Sequence, residues 1–568
     1  MISKNNLLGI CCGGPSGVAL FQENKLSLAV NEERFTSVKL DRSYPLNSIH
    51  WCLKEAELSP KDISSVCYGF SSGMQQGKFM AEMTRRLKDY SSSPESLKII
   101  CDRLSVEAEV DAEKRKEFLA ETSKLFPNTP VYSCSHHQAH QACAYMASPF
   151  KKALVLTSDG RGDFESFTVS TADKDGINEI FRAFSWESLG YFYGRITKLC
   201  GFTPERHEGK VLGLSAHGNP KTARALVDKM VEIQDGKVRT FPGDFYTPFF
   251  TNYSDALKEE AAKFSREDLA AAAQTKLEEI VTQIVSDHVA KTGLNNICLA
   301  GGVFTNVRLN QKIRELKGVN DVFIFPNMGD DGICAGAVYH KLLYDHKISS
   351  SPIKSLYLGP NISNDNLLSV LNRKEFKVEQ PADLYGQVVN LLANEQVIAL
   401  VQGRTEFGPR ALGNRSLLLT PDSKSLSTSL NNRLNRNDFM PFAPIIASNL
   451  ADLCLQKYSP SQFSSRHMVT TYNVSPEFKR NSPAVVHVDN TVRPQVVFKE
   501  DNPFLYELLN HWHKKTGKLC LINTSYNLHE NPIASLEKDV LSTFEANAAD
   551  CLLFPPYLAY QKNSISTP

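Results

Sequence analysis

The sequence has no excess charge of either sign, no paired cysteine motif and no long apolar run. Its 568 residues carry 63 lysines and arginines against 62 aspartates and glutamates, which argues against a dedicated nucleic-acid-binding protein. No apolar stretch approaches the roughly 18 residues of a membrane-spanning helix. No CxxC pair occurs among the 13 cysteines, so neither a zinc ribbon nor a disulfide framework is indicated. We therefore expect a reduced, cytoplasmic protein without nucleic-acid or membrane partners.

The length and composition are those of a globular protein with more than one domain. An apolar fraction of 42% and a charged fraction of 22% are ordinary values, and the chain is long enough for two large domains. A polar stretch rich in serine, HKISSSPIKS at 346–355, follows a helical segment. Because such stretches are typical of linkers, we predict one domain at 1–350 and a second at 351–568.

Strand, glycine turn and strand occur twice in the first domain. Residues 7–21 read as a strand, a glycine-rich turn and a second strand, followed by a further strand at 26–30, and residues 153–170 repeat the strand–turn–strand pattern. Helical sequence separates and follows the two copies, including a helix that Ser265 is expected to cap and Gly293 to end. The pattern predicts an α/β fold with an internally duplicated first domain.

Two histidines and two acidic turns could form a metal site. His136 and His140 are four residues apart, so on a helix their side chains share one face. Asp159 follows one predicted strand, and Asp330 and Asp331 follow another, where loop carboxylates commonly line a site. Two imidazoles with two carboxylates suit a divalent first-row metal. The alternative is that the histidines are incidental and the aspartates form helix caps or turns.

Two glycine-rich segments could bind anions or nucleotides. Gly301 and Gly302 follow a predicted strand and precede Asn306, although a Gly-Gly pair alone usually forms only a turn. No GxxxxGK[ST] motif occurs, so a P-loop is not indicated. The segment GRTEFGPRALGNRS at 403–416 places three arginines among three glycines. Arginine binds phosphate and carboxylate with two parallel hydrogen bonds, so this segment favours an anion site over a structural arginine network.

Taken together, these motifs resemble the O-carbamoyltransferase family that modifies antibiotics and nodulation factors. The resemblance extends over nearly the whole chain. It is carried by NEERF at 31–35, HHQAH at 136–140, DGRGD at 159–163, EGKVLGL at 208–214, GGVFTN at 301–306, GRTEFGPRALG at 403–413, PFAP at 441–444, HVDNTVR at 487–493 and NTSYN at 523–527.

The resemblance implies both an architecture and a reaction. The expected fold is a duplicated domain of the actin/Hsp70/sugar-kinase class, similar to the metalloprotein of threonylcarbamoyl-adenosine synthesis, followed by a YrdC-like α/β domain. The expected enzyme is an ATP-dependent O-carbamoyltransferase. Carbamoyl phosphate and ATP would give carbamoyl adenylate and pyrophosphate, and a hydroxyl of a small molecule, sugar or glycan would then displace AMP. A homodimer is left open.

The resemblance also implies roles for individual residues. The metal, Fe(II) or another divalent first-row ion, would be held by His136, His140, Asp159 and Asp330, and ATP would bind with Mg²⁺. Residues expected to act in catalysis are Arg410, Arg415, Arg436 and, as a candidate base, His137. Residues expected to bind nucleotide or carbamoyl phosphate are Gly301, Gly302, Asn306, Lys210, Arg404, Arg433, Arg493, Asn523 and Ser525.

Two departures from the family pattern leave other functions open. Many members carry a His-Asp pair where this chain has Gly14 and Pro15, and many carry a lysine where it has Leu434. One alternative is an enzyme of the tRNA threonylcarbamoylation type, which the balanced charge disfavours. The other is a catalytically silent nucleotide-binding regulatory protein, which only the two departures support.

Overall fold

The computed structural model describes residues 5–71, 77–249, 253–374, 376–435 and 440–561. The chain forms two compact units. Unit 1 comprises Met1–Ser27 and Arg42–Ile353, and unit 2 comprises Leu28–Asp41 and Lys354–Pro568. No helix within the described ranges has the length and apolar character needed to cross a membrane.

Runs of strands and runs of helices follow one another up to residue 353. The strands are β1 (Asn6–Cys11), β2 (Gly17–Gln22), β3 (Lys25–Asn31), β4 (Ser65–Tyr68), β5 (Val131–Ser133), β6 (Ala153–Gly162), β7 (Glu165–Asp173), β8 (Gly176–Phe184), β9 (Val231–Gln234), β10 (Lys237–Thr240), β11 (Asn296–Ala300) and β12 (Asp321–Ile324). The helices are α1 (Glu33–Thr36), α2 (Leu46–Glu55), α3 (Gly77–Lys88), α4 (Pro94–Leu125), α5 (His136–Met146), α6 (Leu189–Leu199), α7 (Glu208–Ser215), α8 (Arg224–Asp228), α9 (Asp255–Ala261), α10 (Arg266–Thr292), α11 (Val307–Arg314) and α12 (Ile333–Tyr344).

Two five-stranded sheets with the same connectivity organise this part of the chain. Their strand orders are β3-β2-β1-β4-β5 and β8-β7-β6-β11-β12. In each sheet the first two strands form an antiparallel hairpin. A later strand then pairs in parallel with the first strand of this hairpin, and one more strand pairs in parallel with that one. The repeated order confirms the predicted duplication and the actin/Hsp70/sugar-kinase class of fold. The central strands are almost completely buried, as in sheets covered on both faces.

Unit 2 is built on a separate mixed sheet. Its later strands are β13 (Tyr357–Asn361), β14 (Lys377–Glu379), β15 (Ile398–Val401), β16 (Arg404–Glu406), β17 (Arg415–Leu419), β18 (Ala443–Ala447), β19 (Tyr472–Asn473), β20 (Thr491–Val492), β21 (Gln495–Val497), β22 (Leu521–Ser525), β23 (Cys551–Phe554) and β24 (Tyr557–Tyr560). Its later helices are α13 (Asn364–Arg373), α14 (Leu384–Ala393), α15 (Lys424–Arg433), α16 (Ala451–Cys454), α17 (Pro476–Asn481), α18 (Pro503–Thr516) and α19 (Glu537–Glu545). Eight strands form the order β14-β24-β23-β15-β17-β22-β18-β21. The unit is α/β as expected, and its YrdC-like class stays a prediction.

Helix boundaries follow the capping residues that the sequence offers. Ser265 accepts a hydrogen bond from the Asp268 amide at 3.1 Å at the start of α10, and Gly293 ends that helix with φ of 69°. These are the two ends predicted from the sequence. Ser135 and Gln138 form a capping box that starts α5 at His136. The first histidine therefore lies in the first helical turn and His140 one turn later.

Helices α5 and α12 pack closely because small residues face each other. A Cβ atom added to Gly336 of α12 would lie 2.2 Å from the Ala139 carbonyl oxygen and 2.7 Å from Cys143 Sγ of α5. Ala139, Cys143 and Gly336 are all buried. This contact holds the histidine helix against the element that follows Asp330.

We predict that Gly336→Ala separates these helices and lowers stability. Overpacking a filled core costs about 1–3 kcal/mol, which thermal unfolding would detect as a lower melting temperature. Gly209→Ala is a matched control, because Gly209 also lies in a helix but an added Cβ would meet nothing within 4 Å. An unchanged melting temperature for Gly336→Ala would contradict the described packing.

Candidate metal centre and arginine site

The four predicted metal ligands converge in unit 1. His140 Nε2 lies 3.1 Å from His136 Nε2, 3.3 Å from Asp159 Oδ2 and 3.6 Å from Asp330 Oδ1. His136 Nε2 lies 3.5 Å from Asp330 Oδ1. One ligand atom from each of the four residues lies within 4.8 Å of the other three. We call this set the four-ligand group.

Hydrogen bonds from backbone amides hold the start of α5 and the carboxylate of Asp159 in place. Asp163 Oδ2 accepts hydrogen bonds from the amides of His136 at 2.8 Å and Ser71 at 3.0 Å, which anchors the start of α5. Asp159 accepts from the amides of Gly160 at 2.6 Å and Gly302 at 2.9 Å. The carboxylate is therefore oriented before any ligand binds.

Glycines let the loops approach the histidine helix. A Cβ atom on Gly162 would lie 2.1 Å from His136 Cγ, so no other residue fits there without movement. Gly301 has φ of 105°, and its Cβ would lie 2.2 Å from the Ser158 carbonyl oxygen. Asp159 itself lies where the β6–β7 pairing is irregular, between Ser158 and Gly162, rather than directly after the strand.

The donor set fits a divalent first-row metal. Ligands 2.0–2.1 Å from a tetrahedral ion are about 3.4 Å apart, which is close to the separations given above. Asp330 Oδ1 is buried without a hydrogen-bond partner in the described part of the chain, as expected of an atom that binds an ion. Imidazole and carboxylate oxygen together suit iron, manganese or zinc.

Burial and the carboxylates act differently on the two imidazoles. Burial, followed by repulsion from His140, lowers the pKa of His136 to about 3. Burial alone would also lower the pKa of His140, but the nearby carboxylates of Asp159 and Asp330 raise it to about 9. One of the two rings is thus held neutral, the form in which imidazole binds a metal.

The other residues predicted for unit 1 have different local surroundings. The His137 ring is completely buried and its Nδ1 lies 2.6 Å from Thr157 Oγ1, so its role as a base stays a prediction. Asn306 caps α11 through the Leu309 amide at 3.1 Å and donates to Gln274 at 2.8 Å. Lys210 lies half-buried in α7.

A charged face of α4 lies near the group and was not predicted. Arg161 of the DGRGD segment donates to both carboxylate oxygens of Asp111, at 3.0 and 2.9 Å, and lies 3.8 Å from Glu107. Lys114 Nζ donates to the Gly13 carbonyl oxygen at 3.0 Å. Glu107, Asp111 and Lys114 are four and three residues apart, so their shared face was readable from spacing. The burial of Glu107 and Asp111 was not, since charged helical residues usually face solvent.

In unit 2 a single carboxylate shapes the arginine-rich loop. Glu406 Oε1 accepts hydrogen bonds from the amides of Leu412 at 2.7 Å, Asn414 at 2.9 Å and Arg415 at 3.3 Å. Arg34, from the NEERF segment, donates to the Gly408 carbonyl oxygen at 2.8 Å. Glu406 and Arg34 both belong to motifs of the family resemblance, but no function was predicted for either of them. They close residues 407–413 into a loop that presents Arg410.

Arg410 and Arg493 form a pair of cations that no acid among the described residues opposes. Burial, and then repulsion from Arg410, lowers the pKa of Arg493 well below its usual value. Burial alone lowers the pKa of Arg410 to about 10. In the described ranges neither guanidinium makes a salt bridge or a hydrogen bond to a protein group. Asn523 links the same region, donating to the Ala411 carbonyl oxygen at 3.2 Å and to Gln495 at 2.7 Å. Two neighbouring cations of this kind are suited to bind an anion.

The remaining arginines predicted for this site make structural contacts. Arg415 is fully buried and donates to the carbonyl oxygens of Gln402 at 2.7 Å, Asn414 at 2.8 Å and Gly403 at 3.1 Å. Arg404 donates to the Gly359 carbonyl oxygen at 3.2 Å, and Arg433 forms an ion pair with Asp550 at 3.0 Å. Ser525 pairs with Ser416 across β22 and β17. Arg436 lies outside the described residues.

Comparisons with known proteins cover nearly the whole chain. A model described as "Carbamoyltransferase N-terminus" matches residues 7–339, and one described as "Carbamoyltransferase C-terminus" matches residues 389–561. "Uncharacterized protein MJ1051" of Methanocaldococcus jannaschii is 32% identical over 577 residues, covering 97% of this chain and 99% of the relative. "Nodulation protein NolNO" of Sinorhizobium fredii is 28% identical over 590 residues, covering 98% and 83% of the two chains.

A more distant similarity is to a solved structure. Full-length HypF in the phosphate- and nucleotide-bound form aligns with a TM-score of 0.31 and 13% identity, over 61% of this chain and 57% of HypF. A similarity of this size does not bear on the chemistry of either unit.

We predict that the four-ligand group binds about one divalent first-row ion per chain. After anaerobic reconstitution with Fe(II), His140→Ala should retain less than about a tenth of the wild-type metal, because removing a ligand costs more than the roughly tenfold effect of losing a supporting contact. The measurement is metal content by mass spectrometry after desalting. His50→Ala, which removes an exposed histidine of α2, is the control. Equal metal in wild type and His140→Ala would refute the assignment.

Proposed function

Because the chain belongs to the carbamoyltransferase family, we propose that it is an ATP-dependent O-carbamoyltransferase for a hydroxylated small molecule, sugar or glycan. In the first stage water hydrolyses carbamoyl phosphate to carbamate and phosphate. A carbamate oxygen then attacks the α-phosphorus of ATP, the bond from that phosphorus to the β-phosphoryl oxygen breaks, and carbamoyl adenylate and pyrophosphate form. In the second stage the acceptor oxygen attacks the carbamoyl carbon, the bond to the adenylate oxygen breaks, and AMP leaves. The observation that carries this proposal is the pairing of family membership with two charged sites of opposite sign.

The arginine pair of unit 2 supports the first stage. Carbamoyl phosphate and ATP are both polyanions, and Arg410 lies close enough to Arg493 to lower its pKa, while neither guanidinium forms an ion pair within the described residues. Hydrogen bonds to charged groups contribute about 1.5–3 kcal/mol each. In our proposal these two guanidinium groups bind phosphoryl oxygens, and Mg²⁺ accompanies ATP. Arg415 acts by holding the loop that presents Arg410, through its three backbone contacts.

The four-ligand group of unit 1 supports the second stage. His136, His140, Asp159 and Asp330 would hold Fe(II) or another divalent first-row ion, and a bound ion of this kind polarises a carbonyl or phosphoryl oxygen. The amides of Gly160 and Gly302 keep the Asp159 carboxylate turned toward the histidines. Gly302 carries no side chain, and an added Cβ would lie 3.1 Å from Asp159 Oδ1, so the turn leaves room beside the carboxylate. We assign the adenosine of the adenylate to this Gly301–Gly302 turn.

The first test separates the two stages. Purified protein is mixed with ATP, Mg²⁺ and ¹⁴C-carbamoyl phosphate without acceptor, and pyrophosphate and labelled adenylate are measured. We expect pyrophosphate only when carbamoyl phosphate is present. His140→Ala should still form pyrophosphate but should fail to transfer the label to hydroxylated acceptors. Nucleotide binding without pyrophosphate from the wild type would instead favour a silent binding protein.

The second test concerns the arginine pair. Arg410→Ala and Arg493→Ala should each reduce carbamoyl-phosphate-dependent pyrophosphate formation by about tenfold or more, because each loses a charged hydrogen bond to a phosphoryl group. Arg373→Ala is the matched control, since Arg373 is exposed on α13 of the same unit. Circular dichroism would establish that the variants are folded. Wild-type rates in a folded Arg410→Ala or Arg493→Ala protein would remove that residue from the site.

A further inference from the structure

The open side of the four-ligand group is the side of its carboxylates. The His136 and His140 side chains are 0% and 2% exposed, whereas those of Asp159 and Asp330 are 17% and 26% exposed. A substrate that reaches this group must therefore approach past the carboxylates. The residues on this side therefore determine which substrates can reach the four-ligand group.

Glycine turns keep that side clear of side chains. An added Cβ on Gly14 would lie 3.0 Å from Asp330 Oδ2, and one on Gly302 would lie 3.1 Å from Asp159 Oδ1. Any other residue at either position would therefore press on a carboxylate. The turn at Gly13 and Gly14 therefore presents backbone atoms, and no side chain of its own, toward this side. A side chain from a part of the chain about 100 residues away contacts the turn.

That side chain is Lys114 of α4. Its Nζ donates to the Gly13 carbonyl oxygen at 3.0 Å, and its Cδ would lie 3.2 Å from a Cβ on Gly13, so the stem runs along the turn. The ammonium is close enough to Asp330 to be stabilised by that carboxylate. Lys114 therefore lies beside the open side of the group.

The cations near Lys114 form ion pairs, whereas Lys114 forms none with the described residues. Arg161 pairs with Asp111 at 2.9 Å, Arg103 with Glu107 at 3.4 Å, and Arg42 with Glu205. Lys114 makes no ion pair with any described residue, and two of its three N–H bonds have no protein acceptor there. Burial, followed by repulsion from Arg161, lowers the pKa of Lys114, which agrees with an ammonium that lacks a dominant counter-ion.

We propose that Lys114 and the Gly13–Gly14 turn form an oxyanion site on the open side of the four-ligand group. The proposal rests on the proposed function in one respect, the source of the oxyanion. The bound oxyanion is either the phosphate of the adenylate, whose ester carries a single negative charge, or a carboxylate or phosphate substituent of the acceptor. Lys114 is in this view a substrate-binding residue supplied by α4, a helix that carries none of the predicted site residues.

The test measures Lys114 directly rather than through turnover. Full-length, metal-loaded protein is treated with an amine-reactive acetylating reagent, and acetylation of individual lysines is quantified by mass spectrometry. Lys116 is the internal control, because it lies two residues away on the same helix with a side chain 78% exposed. We expect AMP or inorganic phosphate to slow acetylation of Lys114 several-fold and to leave Lys116 unchanged.

The ligands distinguish the two sources of the oxyanion. Protection by AMP and not by adenosine would assign the site to the nucleotide phosphate. Protection by inorganic phosphate or glucuronate, but not by AMP or glucose, would assign it to an anionic acceptor. Equal acetylation of Lys114 with and without all of these ligands would overturn the proposal. None of these acetylation measurements depends on pyrophosphate formation. A failure of the proposed reaction can therefore be distinguished from a failure of the oxyanion site.

A pair of variants gives a second measurement. Lys114→Met should weaken AMP or phosphate binding, measured by calorimetry, by about tenfold, the loss expected for one charged hydrogen bond. Lys114→Arg should recover most of this affinity, and Lys116→Met should bind like the wild type. Equal affinities in Lys114→Met and Lys116→Met, for both ligands, would also overturn the proposal.

Discussion

The chemistry of unit 1 depends on how closely α5 packs against its neighbours. An added Cβ would lie 2.1 Å from His136 Cγ at Gly162 and 2.2 Å from the Ala139 carbonyl oxygen at Gly336, so both faces of the helix are in contact with glycine. These contacts bring two imidazoles on successive turns within reach of carboxylates from two separate segments. Side chains in a filled interior have few alternative rotamers, so the four ligand atoms are positioned by packing before an ion binds.

Much of this arrangement could be predicted from the sequence, because the relevant signals are local. His136 and His140 share a helical face by spacing, and Asp330 follows a strand that joins the same sheet as the strand carrying Asp159. The repeated strand–turn–strand pattern indicated two similar sheets, and their common strand order agrees. Ser265 and Gly293 were readable as helix ends because a cap depends only on residues within one turn of it.

What could not be predicted depends on contacts between distant segments. The 32-residue helix α4 buries Glu107 and Asp111 against Arg161, about 50 residues later in the chain, and no local pattern distinguishes such buried charges from an exposed face. Segment Leu28–Asp41 belongs to unit 2 although its flanking residues belong to unit 1. Arg415 was expected at a substrate, yet its guanidinium binds three backbone carbonyl groups. A motif identifies such an arginine without revealing whether it contacts a ligand or supports the loop that does.

The two sites differ in charge in the way that the two proposed stages require. Carbamoyl phosphate and ATP carry several negative charges, and Arg410 with Arg493 offers two cations that no described acid neutralises. The four-ligand group contains two carboxylates, so a divalent ion there is largely neutralised and attracts a polyanion weakly. The adenylate carries only one negative charge on its phosphate, and a single ammonium, Lys114, is sufficient to balance it. Under the proposed function, unit 1 would therefore suit the activated intermediate rather than ATP, which would keep the triphosphate from competing for the site of transfer.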